Sequence, residues 1–315
     1  MSEFLIMLRN VLLFVALAIP GYILIKTKLM DGKASGVLSK VLTYLGMPFL
    51  ILSSTLNVSF SGSFAVKIVL VLLAGVVFTV AFFFLSALLI CKESDVKRRG
   101  MARFCMVFSN NGFLGIPLVK AVFGDSPVVT YLIVLNIITN VLMFTLGVYL
   151  ISGDKRLISI KKAVLNPVLI AFILGIILNL AGVTKYVPEV ATFSGHFSNI
   201  VTPLSMTILG MKMAEVPFSA LFAKGRMYYV SAIKLVAMPV LAVAIAFAFR
   251  LFMNVDSEII LGFFIAFAMP TAGLASAFSD RYDGDTENAV AYTLGSTLLS
   301  IATIPVLYWL LCMIV

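Results

Sequence analysis

Apolar residues in this chain fall into blocks of roughly twenty, separated by short stretches rich in Lys, Arg, Asp, Gly and Pro. Blocks of that length, lacking the strict alternation of a β-barrel, predict helices that cross a membrane with their backbone groups satisfied internally. Hydropathy and turn signals predict ten such spans, at about 4–25, 37–56, 65–91, 101–123, 128–151, 164–182, 192–213, 227–252, 259–279 and 287–313. The first block lacks a small-residue cleavage site and runs into 20-PGYILIKTK-28, so a retained helix is expected rather than a signal peptide. The central polar stretch, 152-SGDKRLISIKKA-163, is too short to separate soluble domains. An all-α integral membrane protein is therefore expected, with residues 1–315 forming a single unit.

Composition agrees: 62% of residues are hydrophobic, only 12% are charged, and mean hydropathy is +1.13. A formal charge of +9 could suggest nucleic acid, but in a membrane protein excess Lys and Arg first reports orientation. The loops after spans one, three, five, seven and nine, with their flanks, hold 17 of the 23 basic residues, including Lys97, Arg98, Lys161, Lys162, Lys212, Lys224 and Arg281. The opposite side holds Arg9, Lys67, Lys120, Lys185 and Arg250. This bias places the odd-numbered loops in the cytoplasm and both termini outside.

Polar and helix-breaking residues recur in a second pattern. Span two contains 46-GMPF-49 and span seven contains 202-TPLS-205; span four is interrupted around 110-NNGFLGIP-117 and span nine around 269-MPTAG-273. The same order of features appears twice, about 155–160 residues apart. Five spans per copy is an odd number, so the copies (4–151 and 164–313) are expected to insert in opposite senses, as inverted repeats.

The interruptions carry the candidate chemistry. Pro117 lacks an N–H and its ring clashes with the carbonyl of Phe113, while Ile116 is biased away from helical geometry. Gly112 and Gly115 ease departure from the helix. The break is expected at Pro117, and the second at Pro270 and Gly273, each near mid-bilayer. Exposed main chain survives there only when buried in protein or lining a wet cavity. Two half-helix starts, each resembling about +0.5 charge, predict an anion site, with Asn110 and Asn111 supplying side-chain amides and Met269 and Thr271 flanking the second break.

All fourteen acidic residues, Asp125 among them, fall in loops or at helix ends, which disfavours a cation channel and suits a negative substrate. Lys234 is the charge well inside a span: it either snorkels to the cytoplasmic surface or serves as a cavity cation. His196, the sole histidine, is either a plain interfacial residue or a pH-sensitive gate. Cys91, Cys105 and Cys312 show no ligand or redox spacing and are read as packing residues. The acidic run 283-DGDTE-287 is too short for a calcium loop. No metal cluster, cofactor motif or nucleophile–base pair stands out, so an enzyme is not expected.

The runs 109-SNNGFLGIPLVKAVFG-124, 268-AMPTAGLASAFSDRYDGD-285 and 296-STLLSIATIPVL-307 resemble the auxin efflux carrier family, which includes plant auxin exporters and bacterial permeases associated with malate or malonate. The resemblance implies ten helices in two inverted five-helix repeats, with crossing broken helices and a transport domain that moves against a scaffold, an architecture shared more distantly by bile acid sodium symporters. By position it points to Asn110, Asn111, Gly112, Pro117, Pro270 and Thr271 at the substrate, with Met47–Pro48 and Thr202–Pro203 as secondary helix breaks. A bacterial inner-membrane carrier of small organic anions is expected, working without cofactor and possessing no nucleic-acid partner, and able to pair through its scaffold. The membrane-embedded acid of the sodium-coupled relatives has no counterpart, which disfavours sodium coupling; the sequence does not choose among protons, sodium and the membrane potential alone. An anion channel or a signalling receptor on the same fold is the alternative.

Overall fold

The computed structural model describes residues 3–56, 58, 62–124, 126–159, 161, 164–216, 225–250 and 255–314; among these it is helical, with one isolated β-bridge and no strand. In chain order the helices are α1 (Glu3–Lys26), α2 (Lys33–Leu56), α3 (Gly62–Leu89), α4 (Val96–Val107), α5 (Asn111–Phe123), α6 (Pro127–Ser152) and α7 (Pro167–Leu180). There follow α8 (Val183–Tyr186), α9 (Glu189–Asn199), α10 (Val201–Glu215), α11 (Gly225–Arg250), α12 (Ser257–Ala268), α13 (Ala275–Arg281) and α14 (Thr286–Cys312). Of these, α1, α2, α3, α6, α11 and α14 are long and apolar enough to cross a membrane. The other four expected spans are short or divided: 101–123 and 259–279 are each two helices, 192–213 bends at Ile200, and 164–182 is the 14-residue α7. Asp125, Lys162, Lys224 and the expected end of the eighth span at 252 lie outside the described residues.

Proline acts differently from the sequence expectation. Five-residue π-turns occupy Leu42–Gly46 in α2, Asn111–Gly115 in α5 and Ile233–Ala237 in α11. Each of these three is followed by one residue and then a proline, Pro48, Pro117 and Pro239, while a fourth π-turn, Met143–Gly147 in α6, has none after it. The carbonyl that a proline ring strikes is four residues back, which places it inside the wide turn in all three cases. Widening the turn removes the clash, and the helix continues. Met47, Ile116 and Met238 accordingly keep right-handed helical angles despite preceding proline. Neither Met47–Pro48 nor Pro117 breaks its helix, and Thr202–Pro203 sits in the first turn of α10.

Two glycines set the closest helix crossing. A Cβ on Gly21 of α1 would land on the carbonyl oxygen of Thr207, and one on Gly210 of α10 would land on that of Ala18. The two backbones therefore touch without side chains between them, the close approach on which helix association in lipid depends. At the end of α2 the side-chain amide of Asn179, from α7, donates to the carbonyls of Thr55, Leu56 and Val58 at 3.0, 2.8 and 2.9 Å. These are orphan acceptors of the helix C-terminus, capped here from a neighbouring helix.

Charged residues gather at the helix ends. Arg226 pairs with Glu93, Lys97 with Asp283 at 2.7 Å, and Arg98 with Asp285 at 3.8 Å. The acidic turn after α13 is thus held by the basic start of α4. Cys105 is buried as expected of a packing residue, but Cys91 is exposed.

Candidate substrate site

Both expected interruptions exist; the first lies ahead of Pro117, and the second contains Pro270 and Gly273 as expected. α4 ends at Val107, and Phe108 is extended (φ −99°, ψ 125°). α5 then begins at Asn111 rather than near Pro117, with Asn110 as its cap: Asn110 Oδ1 accepts from the Phe113 amide at 3.3 Å. An asparagine preference for the cap position, not the proline, sets this boundary. In the second interruption Pro270 does act as a stop. It holds Met269 extended (φ −63°, ψ 145°), ending α12 at Ala268, and α13 does not begin until Ala275.

The two extended segments pair with each other. Ser109 and Thr271 form an antiparallel bridge, in which the Asn110 amide donates to the Pro270 carbonyl at 2.8 Å and the Ala272 amide donates to the Phe108 carbonyl at 2.9 Å. The Thr271 amide donates to Ser296 Oγ at 3.1 Å, and the Thr271 hydroxyl to the Cys105 carbonyl at 2.9 Å. Most of the main chain expected to stand unpaired is therefore satisfied by the other break. At the start of α5, with the Asn110 and Phe113 amides engaged, the Asn111 and Gly112 amides are the donors left without an acceptor in the helix.

A cavity of about 540 Å³ opens beside this crossing. Asn110, Gly112 and Gly273 line it from the breaks, and Asn136, Thr139 and Asn140 line it from α6. The glycines at both breaks are closely packed: a Cβ on Gly112 would lie 3.1 Å from Met47 Cε, and one on Gly273 would lie 3.3 Å from Asn110 Nδ2, so either side chain would have to shift to admit one. Asn136 is buried; its Oδ1 accepts from Asn140 Nδ2 at 3.2 Å, while its own Nδ2 has no partner. Among the described residues the charged ones on the lining are Lys161 and Arg281, both exposed, and no carboxylate joins them there.

The family model described as "Membrane transport protein" matches residues 6–162 and 155–308, nearly the whole chain. The chain belongs to the auxin efflux carrier family of membrane transport proteins. An uncharacterized transporter of Methanothermobacter thermautotrophicus is 25% identical to it over 309 residues, covering 94% of this chain and 96% of the relative. A family of transporters, with six helices suited to crossing a bilayer, makes this a multi-pass membrane transporter.

Within this family member the expected site residues divide. Asn110, Gly112, Gly273 and Met47 line the cavity. Asn111 is buried behind it, its Nδ2 3.5 Å from Thr139 Oγ1 and its Oδ1 without a partner. Gly115 packs on Met269, since a Cβ there would meet Met269 Cγ at 3.1 Å. Pro117, Pro270 and Thr271 are buried in support of the crossing. Pro48, Thr202 and Pro203 do not reach the cavity, and Pro203 is exposed. His196 is exposed on α9, away from it. Lys234 does not snorkel: it is completely buried, with its ammonium on the Ser109 hydroxyl.

Sequence reasoning missed Asn136, Thr139 and Asn140, although their i, i+3, i+4 spacing puts three polar groups on one face of an apolar helix. It also missed Lys212, read as a loop cation, which reaches the Gly273 carbonyl at 3.3 Å. That contact crosses 61 residues and has no local signal.

Proposed function

We propose that the chain is a secondary carrier of small organic anions, mono- or dicarboxylates, bound where the two broken helices cross. The observation that carries this reading is the charge of the cavity wall: among the described residues Lys161 and Arg281 line it, no carboxylate does, and the buried Asn136 Nδ2 is left for a guest to accept from. A wall of one sign with low-dielectric sides concentrates the opposite charge. A carboxylate lodged there would accept from Asn136 Nδ2, from the Asn110 side chain, and from the two free amides at the start of α5.

The rest of the reading follows from this placement. The chain forms one transport unit, 1–315, of ten spans in two inverted repeats, 4–151 and 164–313, that meet at the crossing. The cavity is bordered by Lys161 and Arg281, which belong to the basic loops, so its mouth faces the cytoplasm and both termini lie outside. Ion pairs on that face, such as Lys97–Asp283, join loops the orientation puts together. Alternating access comes from the crossing helices moving as a body against a scaffold, elevator-fashion, in a bacterial inner membrane, with a homodimer formed through the scaffold.

Uptake of labelled malonate and malate into proteoliposomes tests this. Wild-type protein is expected to show saturable flux, and Asn110→Ala with Asn111→Ala is expected to abolish it while the protein still inserts. Flux that survives the double substitution unaltered removes the site assignment. Unitary currents in place of saturable flux would make the chain a channel.

A further inference from the structure

Lys234 lies in the π-turn Ile233–Ala237 of α11, fully buried. Its Nζ is hydrogen-bonded to the Ser109 hydroxyl oxygen and lies 3.2 Å from Met238 Sδ. Ser109 is the residue that bridges Thr271 at the crossing, and it also lines the cavity. The lysine amine therefore stands one hydroxyl away from the space where a substrate would sit.

No counter-charge accompanies it. Helices α4, α12 and α14 pack on this turn. From α4 comes the Cys105 thiol; Lys97, Arg98 and Arg99 lie at that helix's start, and Arg103 is engaged with Ser86 and the Phe83 carbonyl. α12 carries Glu258, in its first turn, far along the helix from the crossing. From α14 comes the buried Tyr292, with Glu287 in that helix's first turn and Asp285 capping it. α11 itself adds Arg226 near its start and Arg250 at its end. Among the described residues no carboxylate pairs with Lys234. An isolated ammonium in such surroundings is strongly disfavoured, whereas a neutral amine is not.

We propose that Lys234 is the proton-coupling group of the carrier: neutral while the cavity is empty, and protonated when a carboxylate enters beside Ser109, so that anion and proton cross together. The inference rests on the anion reading above. In the empty state the Ser109 hydroxyl donates to the Nζ lone pair. When the Ser109 hydroxyl turns away from that lone pair, a proton taken up from the buffered solution, whose acid form loses it, makes the additional N–H bond, and the ammonium donates to Ser109 Oγ instead. The hydroxyl hydrogen is then free to turn toward the carboxylate, which remains ionised. One proton enters with each anion and offsets one carboxylate charge, and release on the far side reverses each step. Anion affinity consequently falls as pH rises.

The test is proton uptake on binding. Purified full-length protein in weakly buffered detergent is titrated with acetate, malonate and malate, following binding calorimetrically and pH with an indicator dye. Wild-type protein is expected to take up about one proton per anion bound, by linkage of the two equilibria. Lys234→Arg, permanently charged, is expected to bind anion without proton uptake, and its affinity to lose the pH dependence. Lys234→Met, close in shape, is expected to show no uptake and at least ten-fold weaker binding. Anion binding by the wild type without proton uptake, or uptake that persists in both variants, overturns the role of Lys234 and leaves the anion site standing. Failure of all three carboxylates to bind the wild type overturns the anion reading and this proposal with it.

Discussion

The Asn110 amide donates to the Pro270 carbonyl at 2.8 Å, joining two segments 160 positions apart in the chain. Each segment alone would leave polar main chain in an apolar interior. Paired, they form a two-residue patch of sheet in an otherwise helical molecule, and the cost of breaking a helix in the membrane is offset by the partner break.

Asn136→Ala is expected to weaken carboxylate binding about ten-fold or more, the equivalent of one hydrogen bond to a charged group at ~1.5–3 kcal/mol. Asn136→Asp is expected to abolish it at neutral pH, by placing a like charge on the wall. Both are read as dissociation constants by calorimetry, with unchanged detergent-extracted yield as the folding control. Equal affinities in wild type and Asn136→Asp would exclude this wall from the site.

Gly21→Leu or Gly210→Leu is expected to force α1 and α10 apart. Overpacking of this sort costs about 1–3 kcal/mol or more. A lowered Tm in detergent checks it, and Gly36→Leu, where a Cβ would meet nothing within 4 Å, is the control expected to leave Tm unchanged.

Asn179→Leu keeps the branched side-chain shape but removes the donor shared by the carbonyls of Thr55, Leu56 and Val58. Leaving buried acceptors unmet costs about 1–3 kcal/mol. The Tm is expected to fall, with faster amide hydrogen exchange at the end of α2 and no such change in α14. Unaltered exchange there would show that the cap contributes nothing.

Asp95 caps α4, accepting from the Arg98 amide at 3.0 Å, and that bond, with the Lys97 amide and the Arg98 and Lys97 charges assisting, holds its carboxyl below the usual carboxylate range. Because the folded value is the lower one, the contribution to stability is present above the ordinary value of 3.8 and is lost as pH falls through the folded value. Asp95→Asn retains a good cap without a titrating group. The difference in Tm between wild type and variant is expected to shrink or reverse on acidification; a difference independent of pH contradicts the assignment.

The apolar blocks, the all-helical class and the two interruptions were legible along the chain, because a bilayer demands roughly twenty apolar residues per crossing and penalises Asn, Gly and Pro wherever they occur in it. Asn110, Gly112 and Gly273 could be singled out for the same reason, since each is poor material for a lipid-facing helix. What proline would do was not legible. Pro270 ends a helix, Pro48, Pro117 and Pro239 follow a π-turn within one, and Pro20 and Pro305 sit inside α1 and α14 with no such turn, so the residue alone does not decide the outcome. Lys234 and Lys212 illustrate the same limit. The neighbourhood of Lys234 left snorkelling and a cavity cation both open, and that of Lys212 suggested a loop cation, yet one meets Ser109 and the other Gly273 across more than sixty residues. Residue type and order determined which groups the membrane must hide; only the tertiary structure decided which distant group each would be hidden against, because hydrogen bonds in an apolar interior are completed by whatever packing brings near and not by position along the chain.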